Sequence, residues 1–378
     1  MRILHVMSPL QGQSYDLIKL LRGVECDHEQ VFLISETEEK ALTSCTRLFE
    51  FDDLMYLPEY EKNVFKRLAA ANSVRDVLNS ADRIVFHSLQ AISGGVMMWV
   101  CVNRALMNKS AWIANEVDMA MLEDRMSGIK RLLCAGKLRL LKRGFKLVGV
   151  WYPWLIRRAE AQFGCDVRLA PLPLDPELAK AAKRHERNAD TAACRVLAEA
   201  QGITDSRAMH AFFSDIERSL GGCGKVLFPF NYMTRFHYGH SAWKTQRTAI
   251  LALAKTCLSG GACVMNGVTR PELLVRLFDA VGVVCTLNAY RNQTLSVLAM
   301  YGGIPIGMSD EEDVREYRRL GINAYRLGEL GSSMGAPRCA APAVVSKLLD
   351  EGELRRAWSE FLRELTELQS CDKKGAAR

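Results

Sequence analysis

Residues 281–308 read VGVVCTLNAYRNQTLSVLAMYGGIPIGM, and this stretch decides the fold class. VGVVCTL is a short, β-branched apolar run of the kind that lies buried in a parallel sheet. The polar segment NAYRNQ follows as a loop. TLSVLAMY then spaces its bulky apolar residues as a helix does, Gly302-Gly303 ends that helix, and IPIGM is the next strand. Strand, polar turn, helix and strand make a βαβ unit. In open parallel sheets ligands bind at the carboxyl ends of strands, where helix N-termini offer unpaired N–H groups to anions. Arg291, with the amides around Asn292 and Gln293, is therefore placed at such a rim as a candidate phosphate clamp. The plain alternative is an ordinary βαβ unit whose loop carries an arginine.

Working outward, the chain opens in the same style. RILHVM, residues 2–7, reads as a strand, 15–22 as a helix and HEQVFLIS as a second strand. The intervening loop holds Gly12 but no GxGxxG, so a dinucleotide fingerprint is unsupported. Residues 61–80 read as a helix. ADRIVFHSLQ gives a strand that ends at His87, either a substrate-facing histidine or a hydrogen-bonded one at a strand terminus. SAWIANEVDM gives a short strand followed by Asn115, Glu116 and Asp118. Carboxylates at a strand exit suit holding sugar hydroxyls or taking a proton. They suit equally the first turn of a helix, where acids complement the dipole.

Residues 125–158, RMSGIKRLLCAGKLRLLKRGFKLVGVWYPWLIRR, carry ten Lys or Arg and no acid. Leucines interleave with the charges over 129–143, and KLVGVWY is a strand. The pattern suits a basic amphipathic helix resting on anionic lipid through Lys130, Arg131, Lys137, Arg139, Lys142 and Arg143. Each cation near such a surface contributes about 1 kcal/mol. A solvated basic helix is the alternative. Nucleic acid is disfavoured, since no helix-turn-helix, finger or RNP-like stretch accompanies the charge.

RLAPLPLDPEL is proline-rich and extended, which puts the end of a first domain near residue 170. Residues 171–221 read as a linker region, with a charged helix over 179–200 and no obvious strand. GGCGK then punctuates the chain, and a second domain runs over 222–345. Its first strand, KVLFPFN, leads into NYMTRFHYGHSAWK. There Asn231, Arg235 and His237 form a second candidate donor-binding loop ahead of a helix over 243–258. His237 and His240 lack a nearby third ligand, so no metal site is assigned. GACVMNG is a further strand and PELLVRLFDA a further helix. Residues 346–378 are a C-terminal helix and tail. The helix spans 343–369, packs on the outside with the option of bridging both domains, and leads to a disordered tail.

The chain of 378 residues has a net charge of +7 and twelve cysteines without a CxxC pair, which reads as reduced thiols. No uncharged run is long enough to cross a bilayer and MRILHVMS is no signal peptide, so a cytoplasmic protein is expected, peripheral on the plasma membrane's inner face.

Two α/β domains of this kind, facing a cleft, fit the GT-B glycosyltransferase architecture. ILHVM at 3–7, IVFHSL at 84–89, W-x-x-x-E-x-D at 112–118 and YRNQTLSVLAMYGGIPI at 290–306 occur in this order. Together they resemble the 4-acetamido-4,6-dideoxygalactose (Fuc4NAc) transferase family, glycosyltransferase family 56. The resemblance implies a metal-independent transferase without a cofactor. It would move an amino-deoxy sugar from a dTDP-linked donor to a polyprenyl-diphosphate-linked saccharide, in cell-envelope polysaccharide assembly. It places Arg291, Gln293 and Ser296 in the donor-binding match and Asn231 in the phosphate turn of the second domain. Asn115, Glu116 and Asp118 stand where the family has Trp-Gly-x-Asp. Glu116, Asp118 and His87 are the candidate bases. The alternative is a catalytically inactive member of the same architecture serving as a scaffold.

Overall fold

The computed structural model describes residues 1–7, 11–35, 55–57, 64–89, 94–115, 118–119, 141, 144–183, 195–200, 206–220, 226–230, 240–260, 262–266, 281–287, 294–330 and 340–375. The chain divides into two compact units. One comprises Met1–Pro173 with Asp350–Arg378, the other Leu174–Leu349.

The first unit is built on seven parallel strands: β1 (Arg2–Met7), β2 (Glu29–Ser35), β3 (Met55–Leu57), β4 (Arg83–Phe86), β5 (Ser110–Ala114), β6 (Leu147–Val150) and β7 (Val167–Leu169). They lie in the order β3-β2-β1-β4-β5-β6-β7. Helices α1 (Gln11–Arg22), α2 (Val64–Ser80), α3 (Gly94–Val102), α4 (Arg104–Asn108) and α5 (Ile156–Phe163) belong to its connections. β1, β4, β5 and β6 are almost wholly buried, as expected of strands covered on both faces.

The second unit holds β8 (Arg195–Glu199), β9 (Val226–Phe230), β10 (Ala262–Asn266), β11 (Val281–Thr286), β12 (Ile306–Met308) and β13 (Ala324–Arg326), in the order β10-β9-β8-β11-β12-β13. Its helices are α6 (Pro176–Lys183), α7 (Ser206–Leu220), α8 (His240–Cys257), α9 (Thr294–Tyr301), α10 (Glu311–Arg319) and α11 (Ala343–Ser346). Phe212, Phe213, Phe228 and Ile250 pack with Val196, Val283 and Cys285 into its core. Tyr317 on α10 is also fully buried.

Three expectations are corrected. Residues 171–221 are no linker: β8 lies between β9 and β11 inside the second sheet, and the division falls after Pro173. The helix expected over 179–200 ends at Lys183, and the strand RVLAE occupies 195–199. The long C-terminal helix α12 (Glu351–Gly375) belongs to the first unit and runs past residue 369.

The packing of α12 has identifiable causes. The indole N–H of the fully buried Trp358 donates to the Pro171 carbonyl at 2.9 Å. A Cβ built on Gly149 of β6 would lie 2.9 Å from the Phe361 ring and 2.7 Å from Ile113, so glycine there lets the helix approach the sheet. Arg83, at the start of β4, donates from Nε to the Leu365 carbonyl at 2.9 Å and from Nη2 to that of Thr366 at 3.1 Å.

Candidate active site

Each sheet reverses its strand order once: between β1 and β4 in the first unit, and between β8 and β11 in the second. The crevice beyond the carboxyl ends of such a strand pair is where open α/β sheets bind ligands. Buried polar side chains gather beside both points.

In the first unit, the turn after β5 is held to the end of β4 by Asp118. Its carboxylate accepts from the Ser88 hydroxyl at 3.0 Å, from the Leu89 amide at 3.0 and 3.1 Å, and from the Trp112 indole N–H at 3.0 Å. The Asn115 side chain in turn accepts from the Asp118 amide at 2.8 Å. Asp118 is 0 % exposed. A carboxylate so fully engaged acts as a brace between two strand-end loops, a role that neither sequence alternative anticipated. Glu116 lies outside the described residues.

His87 takes the hydrogen-bonded alternative. Its Nε2 lies 3.0 Å from Nδ1 of His5, one ring donating and the other accepting, with both side chains buried. Phe32 stacks on His5 at 5.2 Å between centroids, and Trp358 lies 5.6 Å from His87. Burial pushes both imidazoles below their ordinary range, His5 to about 3, and the neighbouring His5 lowers His87 further. His87 is thus a neutral, enclosed group.

In the second unit, β8 ends at Glu199, β11 at Thr286, and the two residues are register partners. Both are buried, as is Ser296 in the first turn of α9. The Ser296 hydroxyl donates to Oε2 of Glu199, tying that helix start to the end of β8. Residues 288–293, between β11 and α9, contain Arg291, Asn292 and Gln293 and lie outside the described residues, as do Asn231, Arg235 and His237. Lys130, Arg131, Lys137, Arg139, Lys142 and Arg143 do too. The structure thus locates His87, Asp118 and Ser296 of the expected site residues, with Ser296 in a different unit from the other two. Glu199 was not legible as a site residue, because a lone acid after a short apolar run carries no spacing signal.

The far end of α9 is equally constrained. Gly303 has φ +73° and its amide donates to the Met300 carbonyl at 3.1 Å, while the Ile304 amide donates to that of Ala299 at 2.9 Å. A Cβ on Gly302 would lie 2.8 Å from the Ala182 carbonyl oxygen of α6. The Gly-Gly stop expected from sequence therefore serves both the helix cap and a close helix contact.

Among the described residues no group of three metal-ligating side chains occurs, and no helix is long and apolar enough to cross a membrane.

Comparison with known proteins gives the architecture a class. No protein-family model matches the chain, and no curated protein matches it in sequence. Solved structures do. A glycosyltransferase from Rickettsia africae superposes with a TM-score of 0.55 at 11% identity, covering 97% of this chain and 98% of its own. Trehalose-6-phosphate synthase OtsA gives 0.56 at 10% identity, covering 97% and 99%. MnaA of S. aureus, determined with UDP, gives 0.50 at 12% identity, covering 95% and 91%. At such identities the likeness is one of fold, and the fold is the GT-B architecture of two parallel α/β units.

Proposed function

We propose that the protein is a GT-B glycosyltransferase that moves a sugar from a nucleotide-sugar donor to a lipid-linked saccharide acceptor. The observation that carries the reading is the switch point of the second sheet. There the buried Glu199–Ser296 pair fixes the start of α9 directly behind the segment bearing Arg291, Asn292 and Gln293. The fold shared with a glycosyltransferase over nearly the whole chain supports it.

Arg291 with the amides near Gln293, and Arg235 with Asn231 and His237, neutralise the diphosphate leaving group without a metal ion. A charge that develops on the leaving oxygen is best met by donors already in place. Glu116 is the base that takes the acceptor hydroxyl proton, since the Asp118 carboxylate is saturated by its partners and His87 is enclosed and neutral. Sequence resemblance favours a dTDP-linked amino-deoxy sugar and a polyprenyl-diphosphate acceptor in cell-envelope assembly. The cations from Lys130 to Arg143 hold the enzyme to the anionic inner face of the plasma membrane.

The test is a thermal-shift screen against dTDP, UDP, GDP and CMP, with the Arg291→Ala variant in parallel. A ligand bound only by the native state raises stability by mass action, about 2.7 kcal/mol at a hundred times Kd. One nucleotide stabilising the parent and failing to stabilise the variant is the expected result. A native protein indifferent to all four would dismiss the reading.

A further inference from the structure

Helix α3 is apolar from end to end: residues 94–102 read GGVMMWVCV, without a charge. Its inner face, Val96, Met97, Val100 and Cys101, is buried in the first unit. Its outer face is not. Among the described residues the exposed large hydrophobic side chains are Met1, Met98 and Val102. The last two lie one turn apart on α3, 44 % and 66 % exposed, with the half-buried Trp99 beside them. A surface helix ordinarily carries polar residues on such a face, and clustered exposed apolar groups mark a contact surface.

The border of this strip is cationic. Arg75 of α2 lays its guanidinium over the Trp99 ring at 5.2 Å from the centroid, and Arg104 is exposed two residues after Val102. Among the described residues neither arginine has an ion-pair partner, and Nε of Arg75 has no hydrogen-bond partner. Asp76, next in sequence to Arg75, sits about 100° further round α2. Apolar side chains edged by uncompensated guanidinium groups complement the boundary of an anionic bilayer. There acyl chains receive the former, head-group phosphates the latter, and an indole sits at the level between. A second copy of the chain fits less well. A self-complementary contact would set the same arginines against each other, and three apolar side chains fall well short of the roughly 800 Å² per partner of a stable interface.

We propose that the outer face of α3, Met98, Trp99 and Val102 bordered by Arg75 and Arg104, docks on an anionic lipid bilayer. The role deepens the lipid-linked acceptor reading above and rests on it for the source of the lipid, while the surface itself is independent of the donor site.

The experiment is co-sedimentation of the full chain with vesicles of phosphatidylcholine, with and without phosphatidylglycerol. The parent should bind the anionic vesicles at least about tenfold more tightly than the neutral ones. The double variant Met98→Glu, Val102→Glu should weaken that binding at least about tenfold, because it sets charges where acyl chains belong. Val102→Ser, which adds no charge, should weaken it about threefold, and Arg104→Ala about fivefold. Thermal midpoints should stay parental, since these side chains are exposed. A parent that binds neither vesicle, or a double variant that binds as the parent does, overturns the proposal. In the second case a loss of binding in Lys137→Glu, Arg139→Glu would leave the membrane reading standing on its basic segment alone. A parental dimer in sedimentation velocity that Val102→Glu dissociates overturns it in favour of a second copy. Nucleotide stabilisation is read separately, so the donor reading stands or falls on its own result.

Discussion

The imidazoles of His5 and His87 meet at 3.0 Å between Nδ1 and Nε2, buried beneath Trp358 of the C-terminal helix. Among the described residues neither His5 Nε2 nor His87 Nδ1 has a hydrogen-bond partner. Burial outweighs the Gln30 side chain, which alone favours the charged form of His5, so the pair resists an added proton. His87, a candidate base from its place at a strand end, forms with His5 a neutral packing unit that joins β1, the end of β4 and α12.

That arrangement makes stability depend on pH in a definite direction. Burial depresses both folded-state pKa values below 6.5, His5 to about 3. Above pH 6.5 both states are neutral at these positions and stability is unaffected. Below it the unfolded chain binds protons that the native state refuses, so stability falls as pH drops from about 6.5 towards 3. Each refusing histidine costs up to about 1.4 kcal/mol per pH unit in that window. Urea midpoints between pH 8 and pH 5 should decline, and the double variant His5→Leu, His87→Leu should lose much of the decline. Equal slopes in parent and variant would contradict the neutral pair.

Asp118 and Glu116, two residues apart, should respond oppositely to substitution. Asp118→Asn turns an acceptor into a donor facing Leu89 N–H or the Trp112 indole, leaving a buried donor unmet, at about 1–3 kcal/mol. Its signature is a lower denaturation midpoint. Glu116→Gln, as the proposed base, should leave the midpoint within about 0.5 kcal/mol of the parent. It should reduce sugar transfer at least about a hundredfold, the usual scale of lost general-base assistance. A Glu116→Gln enzyme of parental turnover would move the base elsewhere.

How much of this was legible can be judged element by element. β11, α9 and β12 were readable because an apolar β-branched run, a helical spacing and Gly302-Gly303 all agree. β8 was not, because RVLAE is five residues long with a charge at each end, and only its neighbours β9 and β11 make it central. The amphipathy of α12 told that it packs, not on what; the bond from Trp358 to Pro171 lies outside any local pattern. Spacing placed Glu116 and Asp118 together at a strand exit. What distinguishes Asp118 is its set of partners at Ser88, Leu89 and Trp112, and sequence separations of that size leave no periodic trace.

Gly302 and Gly303 should tolerate alanine for different reasons and to different degrees. Gly303→Ala places a Cβ on a left-handed residue, at a cost of about 1 kcal/mol. Gly302→Ala drives a Cβ to 2.8 Å from a backbone oxygen that has no rotamer to escape into, so α6 and α9 must separate. The expected cost is about 1–3 kcal/mol, the range for overpacked contacts. Because α9 directly follows in sequence the residues proposed to bind the donor, Gly302→Ala should also weaken nucleotide binding, whereas Gly303→Ala should mainly lower the midpoint.

Arg83 gives the sharpest test of how α12 is held to the first unit. Its guanidinium reaches two successive carbonyls of that helix, Leu365 and Thr366, and the Asp82 carbonyl at 2.8 Å. The planar fork is what allows three acceptors to be met at once, and the lysine ammonium on a flexible stem lacks that geometry. Arg83→Lys should therefore behave almost as badly as Arg83→Met, each losing about 1.5–3 kcal/mol for charge-assisted bonds to the backbone. Amide exchange should rise over residues 360–368 in both variants while β8 and β11 stay protected, since those strands belong to the other unit. A lysine variant with parental protection would mean that α12 is held by its other contacts, among them Trp358, Phe361 and the Arg168–Glu364 ion pair.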